Sequence, residues 1–165
     1  MLFRSMKLKI ITLAGLCLIS NSLLPQARQV DRNVTLLQQR IDRVHGVIEF
    51  DELLKQFPGM KPSTLLHEVI RTKPTVIEFY QPSCSACDQM HSVFKELHAH
   101  AQQINLKVRI IKVNAAKYPG IAKLFIVTRT PMLAVYNKGR RIPGSVYHGT
   151  MELSELVRYI RVSLQ

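Results

Sequence analysis

The run Thr75-Val-Ile-Glu-Phe-Tyr80 is β-branched and aromatic along its length, and four residues later helical spacing begins at Cys84-Ser85-Ala86-Cys87. Cys87, Met90, Val93, Phe94 and Leu97 then recur at intervals of three and four, which is one apolar face of a helix. A buried strand that turns at once into a helix with two thiols in its first turn leaves few folds open. The flanking segments narrow them further. Val47 to Phe50 reads as a short first strand after Gly46. Asp51 reads as the cap of a helical turn that ends at Phe57 before Pro58-Gly59. Ser63 reads as the cap of a second helix, Thr64 to Arg71, which Pro74 closes.

Beyond the cysteines, Leu106 to Val113 reads as a strand, and Pro119-Gly120 opens a short helix carrying Ile121, Leu124 and Phe125. Met132 to Tyr136 is a strand, Asn137-Lys138-Gly139 a turn, and Ile142 to His148 its hairpin partner. Thr150 caps a last helix with Leu153, Leu156, Val157 and Ile160 on one face. Alternating strands and helices that end in a hairpin predict an α/β fold, with a mixed central sheet covered by helices on both faces.

The start of the chain is different in kind. Arg4, Lys7 and Lys9 precede the apolar run Ile10 to Ile19, and small residues follow, the pattern of an exported leader over 1–27. The apolar run falls short of the ~20 residues that span a bilayer. An uncleaved leader would instead tether the protein to a membrane. Val30, Val34, Leu37, Ile41 and Val44 then mark an amphipathic helical extension over 28–45, whose 29–44 face is either packed on its own domain or a homodimer seam. Residues 46–165 form the main domain. Export places the protein in the periplasm or another extracytoplasmic space.

Net charge is +12, and +9 remains once the three cations of 1–27 are set aside. That balance suits weak contact with an anionic membrane surface. No basic block interleaved with aromatics appears, which argues against nucleic acid. Without Cys17 of the leader, Cys84 and Cys87 are the only sulfhydryls left, too few for a disulfide scaffold. Their spacing suits chemistry instead. Cys84 at the exposed tip of a helix start meets unpaired N–H groups and the positive end of the dipole, which favour a thiolate. Cys87, one turn in and on the apolar face, is placed to resolve a mixed disulfide.

Glu78-Phe-Tyr-Gln-Pro-Ser-Cys-Ser-Ala-Cys87 resembles the active-site strand and loop of the thioredoxin superfamily, including protein disulfide isomerase domains. The resemblance spans roughly residues 46–162. It implies a thioredoxin-like fold and a thiol–disulfide oxidoreductase with Cys84 as nucleophile and Cys87 as resolving thiol. It implies further that Thr130-Pro131 is the cis-proline segment that binds substrate, with Gly149 near the same surface. Glu78 is similar to a buried acid that assists proton transfer at the resolving cysteine, and Lys112 to its lysine partner. Client proteins with cysteines, and a redox partner that resets the pair, follow from the same resemblance; no cofactor does.

Three departures tune the expectation. Ser83 stands where the family has Trp, Ser85-Ala86 where it has Gly-Pro or Gly-His, and Asp88 where it has Lys. Removing a cation and adding an anion beside the thiols weakens thiolate stabilisation, so a reductase or isomerase is expected over a strong oxidant. Two other functions stay open. Cys84, Cys87 and His91 share a helix face and would suit a soft ion such as Cu(I) in a metal-delivery protein. Copper carriers of this fold, however, separate their cysteines by three residues, and His91 lies ~10 Å along the helix. The chain would alternatively be a binding module without turnover. His45, His67, His98, His100 and His148 read as surface or packing residues.

Overall fold

The computed structural model describes residues 35–165, apart from the side chains of residues 101 and 102. The leader of 1–27 and the first part of the extension, 28–34, lie outside the described residues. The chain divides at Gln39/Arg40. Of the first unit, residues 35–39 are described, and they are helical within a helix, α1, over 35–42.

The second unit builds a six-stranded sheet. Its strands are β1 (Gly46–Glu49), β2 (Thr75–Tyr80), β3 (Arg109–Asn114), β4 (Met132–Asn137), β5 (Arg140–Arg141) and β6 (Tyr147–His148). The order is β1-β3-β2-β4-β5, with β6 also on β4. β1, β3 and β2 run parallel, and β4 turns the sheet antiparallel. β2, β3 and β4 each bury their first five residues, as expected for strands covered on both faces. The helices are α2 (Phe50–Gln56), α3 (Pro62–Thr72), α4 (Ser85–Ala99), α5 (Ala101–Ile104), α6 (Pro119–Leu124) and α7 (Leu153–Ser163).

Val76, Ile110, Leu133 and Val135 meet Met90, Phe94 and Leu97 of α4 and Leu156 and Ile160 of α7 on one face. The alternate residues of the same strands point the other way, where Phe79 meets Phe125, whose ring also abuts Tyr136. The mixed sheet with helices on both faces is therefore as expected.

Several boundaries move, each for a local reason. α2 begins at Phe50, so Asp51 is not its cap; it sits in the first turn and accepts from Lys117 at 2.8 Å and from Tyr118. α3 begins at Pro62, whose fixed φ and missing N–H suit a first helical position, so Lys61 and not Ser63 is the cap. β3 starts at Arg109 because β1 and β2 both start opposite it, leaving 106–108 without a partner strand. The stretch from Ile142 to His148 is not one strand. Only Tyr147 and His148 join β4 there, while Val135 N–H donates to the Ser145 hydroxyl at 3.2 Å. Leu124 is exposed, and the six-residue α6 turns only Ile121 inward, with Phe125 just after it. α7 is capped at Glu152, whose N–H donates to Glu155, and not at Thr150. Lys138 and Gly139 both have positive φ, the geometry of a two-residue turn that follows the sheet's twist. A Cβ at Gly139 would stand 2.9 Å from Arg71 Cγ.

One buried cation ties Ile41, Val44 and α3 to the sheet. Arg109 is 1% exposed, and its guanidinium donates to Val44 O at 3.0 Å, Ile41 O at 3.0 Å, Val69 O at 2.8 Å and Thr72 Oγ1 at 3.1 Å. Arg109→Leu would take the guanidinium donor from Val44 O and one of the donors from each of Ile41 O and Val69 O. The latter two also accept from Val44 N–H and the Thr72 hydroxyl, respectively. A lost buried hydrogen bond costs about 1–3 kcal/mol. The expected loss of stability is about 3–5 kcal/mol. It would be read as a fall in the urea midpoint of the unfolding transition followed by circular dichroism.

Candidate active site

β2 ends beside Asn114 of β3, and Ala115 N–H closes onto Tyr80 O at 2.8 Å, so the chain must leave the sheet there. Gln81, Pro82 and Ser83 make the exposed turn, with Ser83 in the left-handed region at φ 59°. Cys84 then caps α4 with extended backbone, and its sulfur accepts the Cys87 N–H at 3.2 Å. Its carbonyl accepts from Asp88 N–H at 3.0 Å. The atom at the helix mouth that meets the free N–H groups is thus the Cys84 sulfur, the place where negative charge is most favoured.

Cys84 and Cys87 are joined as a disulfide, with Cα atoms 5.2 Å apart. They differ in access: Cys84 is partly exposed and Cys87 is 4% exposed. The Thr130-Pro131 peptide is cis and stands over the pair. Thr130 Oγ1 lies 3.9 Å and Thr130 O 4.0 Å from Cys84 Sγ. Gly149, at φ 112°, donates its N–H to Pro131 O at 3.2 Å, so it braces the proline segment. A side chain at Gly149 would be strained by that φ alone. Ser85 and Asp88 face solvent in the first turn of α4, and Ala86 is half-buried. The structure therefore brings Cys84, Cys87, Thr130, Pro131 and Gly149 together.

Glu78 and Lys112 are register partners on β2 and β3, but their side chains are not hydrogen-bonded to each other. Both Glu78 carboxyl oxygens are buried without a hydrogen-bond partner. Burial pushes the Glu78 carboxyl up from 4.5 to about 8, against the pull of the Lys112 ammonium. Lys112 Nζ instead donates to Glu49 Oε1 at 2.7 Å and to His91 Nδ1. The Tyr80 hydroxyl donates to the other Glu49 oxygen at 3.1 Å. Burial and the Lys112 charge hold the His91 imidazole below its ordinary value. Glu49 carried no role in the sequence reading, and His91 entered only as a metal ligand. Glu49 was legible in principle, since Val47 and Glu49 alternate in a strand whose apolar face turns inward. Among the described residues no three His, Cys, Asp or Glu side chains are gathered as metal ligands, and His91 is turned to Lys112.

The thioredoxin family model matches residues 60–162. A thioredoxin-like protein of Synechocystis is 24% identical over 90 residues, 54% of this chain and 81% of its own length. A chloroplastic thioredoxin Y of rice is 23% identical over 93 residues, and the match spans about half of its length, 52%. A protein disulfide isomerase-like protein of rice is 30% identical over 89 residues, covering 54% of this chain and 24% of that protein. Among solved structures, an N21Q mutant thioredoxin from Halobacterium salinarum shares the fold, with a TM-score of 0.55 at 16% identity over 73% of this chain and 92% of its own.

The buried acid sets a pH dependence. The folded state holds the Glu78 proton up to about pH 8, whereas the unfolded chain releases it near 4.5. Between those values the folded state binds more protons, so stability falls as pH rises through the window. Glu78→Gln cannot ionise and should lose that dependence. The difference in unfolding free energy between variant and wild type should widen by up to about 1.4 kcal/mol per pH unit, measured by urea denaturation of the disulfide forms from pH 5 to 8.

Proposed function

The chain belongs to the thioredoxin family, and on that premise we propose that it reduces or isomerises disulfides of client proteins outside the cytoplasm. Its Cys84–Cys87 pair makes it a thiol–disulfide oxidoreductase. The observation that carries the finer reading is the unequal access of the two sulfurs: one at the helix mouth beside Thr130-Pro131, the other buried beneath it. The leader-like residues 1–27 support export.

Reduction follows from that geometry. The Cys84 thiolate attacks one sulfur of a client disulfide, a Cys84–client bond forms, and the client's other sulfur leaves with the electron pair and takes a proton. Cys87 gives its proton to Glu78 and attacks Cys84 Sγ, which closes the internal disulfide and releases the second client thiolate. The client is oxidised nowhere; it gains two electrons, and the pair loses them. Thr130, Pro131 and Gly149 supply the edge along which the client backbone lies. A dithiol partner then resets the pair.

Cys87→Ala removes the attack that frees the client. It should accumulate mixed disulfides through Cys84 that a reducing gel abolishes, while Cys84→Ala accumulates none. Equal trapping by the two variants would assign the roles wrongly. The turn Ser85-Ala86 brings no cation, and Asp88 adds an anion in the first turn of α4. Both weaken thiolate stabilisation, and a thiolate stabilised less makes the disulfide harder to reduce. Equilibration with glutathione should therefore give a potential in the reducing range. A value near the ~−120 mV of a strong periplasmic oxidant would overturn this part of the reading.

A further inference from the structure

Glu49, Lys112 and Glu78 occupy one row across β1, β3 and β2, since Lys112 is the register partner of both acids. Parallel partners project to the same face, here the one covered by α4, and Leu133 of β4 continues the row. One ammonium thus stands between two carboxyl groups, and its side chain is 5% exposed. It is held on the Glu49 side at 2.7 Å, with His91 Nδ1 of α4 as its second acceptor and the Tyr80 ring 5.0 Å away. Tyr80 in turn holds Glu49 in place. Glu78 receives no hydrogen bond from any of them.

We propose that Glu49 and His91 are positioning residues for the thiol chemistry: they keep the Lys112 ammonium on the β1 side of the row and so withhold from Glu78 the countercharge that would keep it an anion. This rests on the reading that Glu78 carries the Cys87 proton. In the disulfide form an incoming thiolate attacks Cys84 Sγ, the Cys84–Cys87 bond breaks, and its electron pair goes to Cys87. Glu78 hands that sulfur its proton and becomes a carboxylate; the reductant is the incoming thiol. A buried acid whose countercharge is hydrogen-bonded elsewhere is loaded for that step at neutral pH, consistent with the rise of Glu78 to about 8 against the remaining pull of Lys112. The charged or titratable groups acting here are Glu49 and Lys112 on Glu78, and Lys112, Lys95, Glu49 and Asp88 on His91. On the same face Leu133 of β4, Leu156 of α7 and Met151 just before α7 belong to the apolar core.

The test is the pH profile for reduction of the disulfide by dithiothreitol, corrected for the thiolate fraction of the reagent, with a 13C titration of the Glu78 carboxyl in the disulfide form beside it. Wild type should break near pH 8. Glu49→Gln frees the ammonium for Glu78 and should move the break down by about one pH unit or more. It should also slow reduction at pH 7 about threefold or more. Lys112→Met removes the charge and should move the break up, a change of opposite sign that mere destabilisation does not produce. His91→Leu should shift the break down, and His91→Asn, which restores an acceptor near Nδ1, should return it toward wild type. If Glu78→Gln keeps the break, the proton-carrier reading and the proposal both fail. If Glu78→Gln abolishes it but Glu49→Gln leaves it in place, the proposal alone fails.

Discussion

Parallel pairing of β2 with β3, in the register that sets Glu78 opposite Lys112, is the constraint from which the rest follows. It ends both strands at the same level, so the chain leaves β2 directly into the turn before Cys84. The same register lines up the buried charges beneath α4. A slip of one residue would send Glu78 and Lys112 to the opposite face and carry Val76 and Ile110 out of the core they share with Met90 and Phe94. The apolar packing therefore fixes where the polar groups stand.

Two electrostatic environments meet at α4. Its mouth offers N–H groups and a dipole to the Cys84 sulfur, in partial contact with solvent. One turn further in, Cys87, Glu78 and Lys112 are buried, and a buried charge needs a partner. Lys112 has two, and Glu78 has none within hydrogen-bond reach, so the carboxyl meets burial by keeping its proton. The exposed sulfur is thus set up to be an anion and the buried acid to be neutral. Arg109 shows the other solution to burial, a cation surrounded by carbonyls that binds Ile41, Val44 and α3 to the start of β3.

Much of this was legible before any coordinates. Val, Ile, Phe and Tyr from 75 to 80 can only be a buried strand, and the spacing from Cys87 to Leu97 can only be an inward helix face. Thr130-Pro131 and Gly149 were found by resemblance, and the structure sets them beside Cys84 and beside each other. The misreadings cluster at element ends. Asp51, Ser63 and Thr150 are all good capping residues by type, yet Phe50, Pro62 and the Glu152–Glu155 pair decide where the helices begin. Caps depend on a few dihedrals, and several neighbours compete for them. The broken hairpin at 142–148 hid for a similar reason: a serine hydroxyl replaces a backbone partner only once the fold brings it there.

By itself the sequence determined the alternation of strands and helices, the burial of the sheet, and two thiols at a helix start, because these depend on periodicity and local propensity along a few consecutive residues. Which acid Lys112 binds, which carbonyls Arg109 serves, and where His91 turns depend on residues 21 to 68 positions apart, brought together only when strands pair and helices close over them. Only the tertiary structure decided those partners, since a buried charge takes whichever acceptor the closed fold leaves within about 3 Å.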